Sequence, residues 1–272
     1  MSKSKIDSDG FQLVSSKKSS KKKVLVPRND LHLKLDSKID IEKSFKRIET
    51  AVGELECSEY LKSVIKAVSN FLNDKNIVEI ICFGLGHIGE SNISRYQLAL
   101  LLCLKNKFNP DKVLVHDPIF YTDECELLKK LNLTLIEKNT EGNYIITKKG
   151  TSLVYLPHCP KQLTNNFLWS NWGLNLENCI LLCNSFTSIT EISNRILSET
   201  VPYIQKILPL TQEVYLDNNF VFKDIFNDTS LHFFTKKLLE SVSSDFWNNK
   251  EKPQYTNDVE FITSLIIHKL TV

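Results

Sequence analysis

Ile77-Val78-Glu79-Ile80-Ile81-Cys82-Phe83-Gly84-Leu85-Gly86-His87-Ile88-Gly89 is the stretch on which the fold turns. Its first seven residues are a short, β-branched, apolar run stopped by glycine, the pattern of a buried strand. Gly84, Gly86 and Gly89 then match G-x-G-x-x-G. In that pattern the first glycine permits a tight turn and the second lets a ligand's pyrophosphate approach the backbone. The third allows close helix packing, and the helix that follows offers its N-terminal donors to an anion. The plainer reading of the same glycines is a turn that only lets the chain reverse, and both readings stay open here.

Working outward, a helix is expected from about Asn92 to Lys107, apolar on most sides around Leu98 to Leu104. Val113–His116, Leu133–Ile136, Ser152–Leu156 and Cys179–Cys183 read as further short strands. A helix capped by Thr122 or Asp123 and another opened by Pro160 separate them. Strand and helix thus alternate at spacings that need crossover connections. This predicts a Rossmann-like α/β fold, a mostly parallel sheet with helices on both faces. Upstream, Ile41, Phe45, Ile48, Val52 and Leu55 form one helical stripe, and Ser58 is placed to cap a second helix carrying Leu61, Val64, Ile65, Val68, Phe71 and Leu72. The expected organisation is a disordered basic tail over 1–30, a helical lead-in over 31–75 and an α/β domain over 76–272, its motif core at about 77–186. Tyr203 to Val272 reads as mixed helix and strand ending in an amphipathic helix through Phe261, Leu265, Ile266 and Leu270.

The charge is unevenly spread. Residues 1–28 hold eight Lys or Arg against two Asp, a net of +6, so a chain of total charge +2 leaves −4 for the remainder. The main part should not attract nucleic acid by bulk charge. The run Ser15 to Lys23 reads as a solvated tail, a nuclear import signal or a polyanion-binding arm. Seven cysteines at irregular spacing, with no C-x-x-C, suggest a reducing compartment and no zinc knuckle. Phe11–Val14 is too short for a secretory h-region and Leu98–Leu104 too short to span a bilayer. The expectation is a soluble protein of the cytoplasm, and of the nucleus if the basic run is an import signal, with no membrane partner.

In open parallel sheets, ligands sit beyond the carboxyl ends of the strands. The unusual polar residues fall there: Gly84, Gly86, His87 and Gly89 after the first strand, His116 and Asp117 after the second, His158 and Cys159 after the fourth, Asn184 and Ser185 after the fifth. Asp117 stands where a ribose-binding acid belongs, although it lies 28 residues past Gly89, longer than the usual spacing of about 20. Arg95, in the first turn of the next helix, is within reach of a bound phosphate or clamps a loop. Cys159 has three readings: a nucleophile, a thiolate ligand for heme iron, or part of a turn bracketed by Pro157 and Pro160. Histidines 87, 116 and 158 have no metal-ligand spacing. An acid just before the first glycine, expected of a methyltransferase-type site, is replaced by Cys82-Phe83.

Six segments occur together: Phe83-Gly84-Leu85-Gly86, Ser94-Arg95-Tyr96-Gln97-Leu98-Ala99-Leu100-Leu101, Asp117-Pro118, Leu156-Pro157-His158-Cys159, Asn165-Asn166-Phe167-Leu168-Trp169-Ser170-Asn171-Trp172 and Asn184-Ser185-Phe186. In this order they resemble the sensitivity-to-red-light-reduced (SRR-like) domain family over about residues 60–190. The resemblance implies a regulatory protein. Plant members are tied to circadian clock input and red-light responses, animal members to control of heme biosynthesis and clock-gene expression, and a fungal relative to microtubule-related phenotypes. It implies no catalytic residues. Heme and a nucleotide are the small molecules it leaves in view, with unidentified protein partners. The competing reading is an enzyme that binds a dinucleotide or an S-adenosylmethionine-type cofactor in the same cleft.

Overall fold

A computed structural model describes residues 39–72, 75–147, 149–191 and 194–255. The basic tail and the amphipathic helix expected near the C-terminus lie outside the described residues. Two helices come first, α1 (Ile41–Glu56) and α2 (Glu59–Leu72). The parallel part follows as β1 (Ile77–Phe83), α3 (Asn92–Phe108), β2 (Lys112–His116), α4 (Thr122–Lys130), β3 (Thr134–Leu135), β4 (Thr151–Leu156), α5 (Lys161–Ser170) and β5 (Cys179–Asn184). The remainder is α6 (Phe186–Ile189), α7 (Asn194–Thr200), α8 (Pro202–Ile207), β6 (Gln212–Tyr215), β7 (Thr229–Phe233), α9 (Lys236–Leu239) and α10 (Ser244–Asn248).

The seven strands form one sheet in the order β3-β2-β1-β4-β5-β7-β6. Strands β1 to β5 are mutually parallel, while β7 runs antiparallel to both β5 and β6. The α/β architecture is therefore the expected one. Successive strand residues alternate between two cores, as the period of two requires. Ile80, Cys82, Leu153, Tyr155, Ile180 and Leu182 face the helices α1 to α4. Ile81, Phe83, Val154, Leu156, Leu181 and Cys183 face α5, α8 and α9.

The first two helices are part of this packing. Asp40 caps α1 by accepting from Lys43 N at 2.9 Å, and Ser58 caps α2 by accepting from Leu61 N at 3.1 Å. Ile48 and Leu55 of the expected stripe are buried, each stabilising by roughly 1.5–3 kcal/mol. Helix α1 lies along α3, with Ile41, Phe45 and Val52 completing the contact. That explains why Leu98 to Leu104 are all buried: α3 has the sheet on one side and α1 on the other.

A second buried device sits near the start of β1. The Glu79 carboxylate accepts from Ser152 Oγ (2.6 Å), Thr147 N (2.9 Å) and Tyr144 Oη (2.9 Å), and pairs with Lys112 Nζ at 2.9 Å. It ties the long β3–β4 connection to the sheet.

Candidate functional site

Strand β1 has β2 on one side and β4 on the other, so the order of connection reverses between β1 and β4. Such a switch point opens a crevice at the carboxyl ends of the two strands. The glycine turn sits there. Gly84 and Gly86 have φ of +75° and +71°, values that favour glycine. Gly84 N donates to His116 O at 3.1 Å, which joins the ends of β1 and β2.

Cys159, beyond β4, closes the other side. Its Sγ donates to Phe83 O at 3.2 Å, and a Cβ built on Gly84 would lie 2.4 Å from that sulfur. Asn184, at the end of β5, donates from Nδ2 to Cys159 O at 3.3 Å. Burial first, and then the charge of Asp117, pushes the Cys159 thiol well above its ordinary range. It is a neutral, packed thiol, a poor nucleophile and a poor heme ligand in this setting.

Two donors of the turn are held by carboxylates. Gly86 N donates to Asp117 Oδ2 at 2.7 Å, and Ile119 N donates to Asp117 Oδ1 at 3.0 Å. Gly89 N donates to Glu124 Oε1 at 2.8 Å. Glu124 Oε2 accepts from Tyr121 N at 3.0 Å and lies 3.1 Å from His87 Nδ1. The His87 ring stacks on Tyr121 at 4.0 Å between centroids. Helix α3 does not open on the motif; it begins at Asn92, and its cap is Ser91, which accepts from Ser94 N.

The remaining candidates divide. His158 adopts φ +49° and bridges Gln97 Nε2 (3.3 Å, at Nδ1) and Asn227 O (3.0 Å, at Nε2). With Gln97 donating, Nε2 carries the proton. This pins the β6–β7 connection across the strand ends. His116 donates through Nδ1 to Ile136 O at 2.7 Å. Ser185 caps the short helix α6 and donates its N–H to Asp228 O at 3.0 Å. Arg95 is not brought to the turn: its Nη1 donates to Asn92 Oδ1 at 3.0 Å and Arg47 is its charged neighbour. Burial, then Arg47, lowers its pKa.

The Asn/Trp segment is a clasp. Asn165 Oδ1 accepts from Tyr203 N (2.8 Å) and Ile204 N (3.3 Å) at the start of α8, while its amide donates to Tyr255 Oη. Asn171 accepts from Ile146 N at 3.0 Å and donates to Tyr144 O at 2.7 Å. Trp172 packs among Tyr203, Phe246 and Trp247.

Sequence reasoning missed Glu124, Gln97 and Asn227. Glu124 occupies the third position of α4, where an acid is ordinary, so nothing in the local pattern marks it. It also missed a group behind β5 centred on buried His232 and Cys183. His232 Nδ1 lies 3.5 Å from Cys183 Sγ; its Nε2 accepts from Phe186 N at 3.2 Å and is 3.4 Å from Glu213 Oε1. The order Cys–His–Glu looks nucleophilic, but burial drives the Cys183 thiol far up and seals it from substrate.

The model of the SRR1 domain matches residues 41–233, well over half of the chain. The chain belongs to this family. An SRR1-like protein of Drosophila melanogaster is 30% identical over 263 residues, covering 94% of this chain and 93% of that one. An SRR1-like protein of Mus musculus is 36% identical over 134 residues, 48% of this chain and 53% of the relative. The Arabidopsis thaliana protein SENSITIVITY TO RED LIGHT REDUCED 1 is 26% identical over 217 residues, 75% of this chain and 76% of the relative. The family match takes in α1 and α2 as well as the sheet. Among the described residues, no helix is long and apolar enough to cross a membrane, and no group of three or more His, Cys, Asp or Glu is placed to hold a metal ion.

Proposed function

We propose that this family member is a regulatory protein that binds a small ligand at the strand-end notch, in the cytoplasm and the nucleus. Control of heme biosynthesis and of clock-gene expression are the roles that family likeness suggests for it. The observation that carries the binding reading is Asp117. It is a half-buried carboxylate at the switch point, held by the glycine turn, with a lone pair left on each oxygen after its two backbone contacts. The geometry favours binding without chemistry, since the polar groups around the turn are engaged with one another.

Thermal unfolding of the full chain with hemin, NAD(H), NADP(H), nucleotides and S-adenosylmethionine tests this. A ligand at a hundredfold excess over its Kd raises stability by about 2.7 kcal/mol. No shift with any of them overturns the reading. Heme through Cys159 is the less favoured form, because the thiol is neutral and packed against Gly84. A Soret shift with hemin in the wild type that disappears in Cys159→Ala would restore it.

A further inference from the structure

Resting on that ligand-binding reading, we infer that the notch takes a phosphate-free nucleoside, its ribose diol donating to Asp117, and rejects dinucleotides and nucleoside phosphates. Three observations carry this.

The first is the state of the glycine turn. A pyrophosphate at such a turn needs free backbone N–H donors and a positive local field. Here Gly86 N is bonded to Asp117 and Gly89 N to Glu124. The protein's own carboxylates hold two of the turn's donors and put negative charge beside it. Neither carboxylate is paired with a lysine or arginine among the described residues, and Arg95 is bonded to Asn92 instead. A phosphate at the turn would sit beside two carboxylates, a like-charge contact with no lysine or arginine paired to them among the described residues.

The second is what Asp117 still offers. Each of its oxygens accepts one backbone N–H, at 2.7 and 3.0 Å. A carboxylate oxygen has two lone pairs, so one remains on each. Two neighbouring hydroxyl donors on one ligand satisfy both, and a ribose 2′,3′-diol is such a pair. Phosphate groups, which carry acceptors only, do not.

The third is the sheet itself. Dinucleotide sites are built from two mononucleotide-binding halves, in the strand order 3-2-1-4-5-6. In this chain the half containing β1 to β3 is complete, but the second is interrupted: antiparallel β7 takes the place next to β5. One nucleoside position is formed, not two. Where a methyltransferase-type site carries an acid just before the first glycine, this chain has buried Cys82 and Phe83. The inference is therefore confined to the nucleoside and does not extend to an amino-acid moiety.

Isothermal titration of the full chain tests it. The ligands are adenosine, S-adenosylmethionine and S-adenosylhomocysteine on one side, and ADP, ATP and NAD on the other. The phosphate-free set is expected to bind at least tenfold tighter, and Asp117→Asn to weaken it at least tenfold. Asp117→Asn also touches the turn, so 2′,3′-dideoxyadenosine is titrated into the unaltered protein, where the same loss is expected. Equal or tighter binding of ADP or NAD, or undiminished binding of the dideoxy compound, overturns the nucleoside inference and leaves the ligand-binding reading standing. No binding by either set, together with no thermal shift from hemin, overturns both.

Discussion

Replacing Gly84 by alanine tests the packing of the notch at its tightest point. The new methyl group would sit 2.4 Å from Cys159 Sγ, well inside contact distance. The sulfur has little freedom to retreat, because Cys159 is buried and donates to Phe83 O. Two penalties add. Alanine at φ +75° costs about 1–2 kcal/mol. Forcing a methyl group into a filled site costs about 1–3 kcal/mol. Gly84→Ala should therefore destabilise by about 2–5 kcal/mol. Cys159→Ala alone should cost about 1 kcal/mol for its hydrogen bond. In the double variant the overlap vanishes, and the backbone penalty and the lost hydrogen bond survive. The double-mutant cycle should then show the two changes to be less than additive by about 1–3 kcal/mol. Urea unfolding of the four proteins measures it. Additivity to within about 0.5 kcal/mol would refute the claim that Cys159 fills the space over Gly84.

Glu79 sets an acid limit. Burial alone would raise its pKa, but Ser152, Thr147 N, Lys112 and Tyr144 outweigh that and hold the carboxyl below its ordinary value of 4.5. The stability it supplies is present above that value and is lost as pH falls through the folded pKa; urea midpoints of Glu79→Gln should vary less than wild type on the acid side of pH 5. Glu79→Ala should cost about 2–4 kcal/mol at pH 7, since it takes the acceptor from Ser152 Oγ, Thr147 N and Tyr144 Oη, while half-exposed Lys112 turns to water. Glu124→Ala should destabilise by about 2–4 kcal/mol by leaving two backbone donors unpaired, and hydrogen exchange at Gly89 and Tyr121 should accelerate while β4 amides stay protected. Asn165→Ala should cost about 1–3 kcal/mol and speed exchange at Tyr203 and Ile204, whereas unchanged rates there would remove Asn165 from its capping role.

Most of the parallel half of the sheet was legible because β1, β2, β4 and β5 are short apolar runs stopped by Gly84, Asp117-Pro118, Pro157 and Asn184-Ser185. Even so, Leu133–Ile136 shrinks to the two-residue β3: at the sheet edge only Thr134 and Leu135 are in register with β2, and Ile136 stays tied to it by its N–H to Val115 O and its carbonyl to His116 Nδ1. Strand β7 was not legible. Thr229, Ser230 and His232 are polar, and only the sheet explains their burial. The turn itself was readable, and so was Asp117, but not their union. The bonds that define the site join residues 31 and 35 positions apart, and no local periodicity reports them. The same holds for the asparagines of the clasp, whose partners lie 25 to 90 residues away. Arg95 had the right helix position, yet its guanidinium bonds Asn92 of its own helix, and Arg47 became its charged neighbour only because α1 packs on α3.

The central place of β1 has a consequence for synthesis. Its first neighbour, β2, follows within about 30 residues, but its second, β4, ends at Leu156, 73 residues after Phe83. At roughly 5–20 residues per second, a ribosome leaves that edge open for about 4–15 s. Throughout that interval Ile80 and Ile81 belong to a strand with unpaired amides on one side. The nascent chain thus presents an adhesive ribbon at the middle of its future sheet. Slowing translation between codons 84 and 156 should increase its dependence on chaperones.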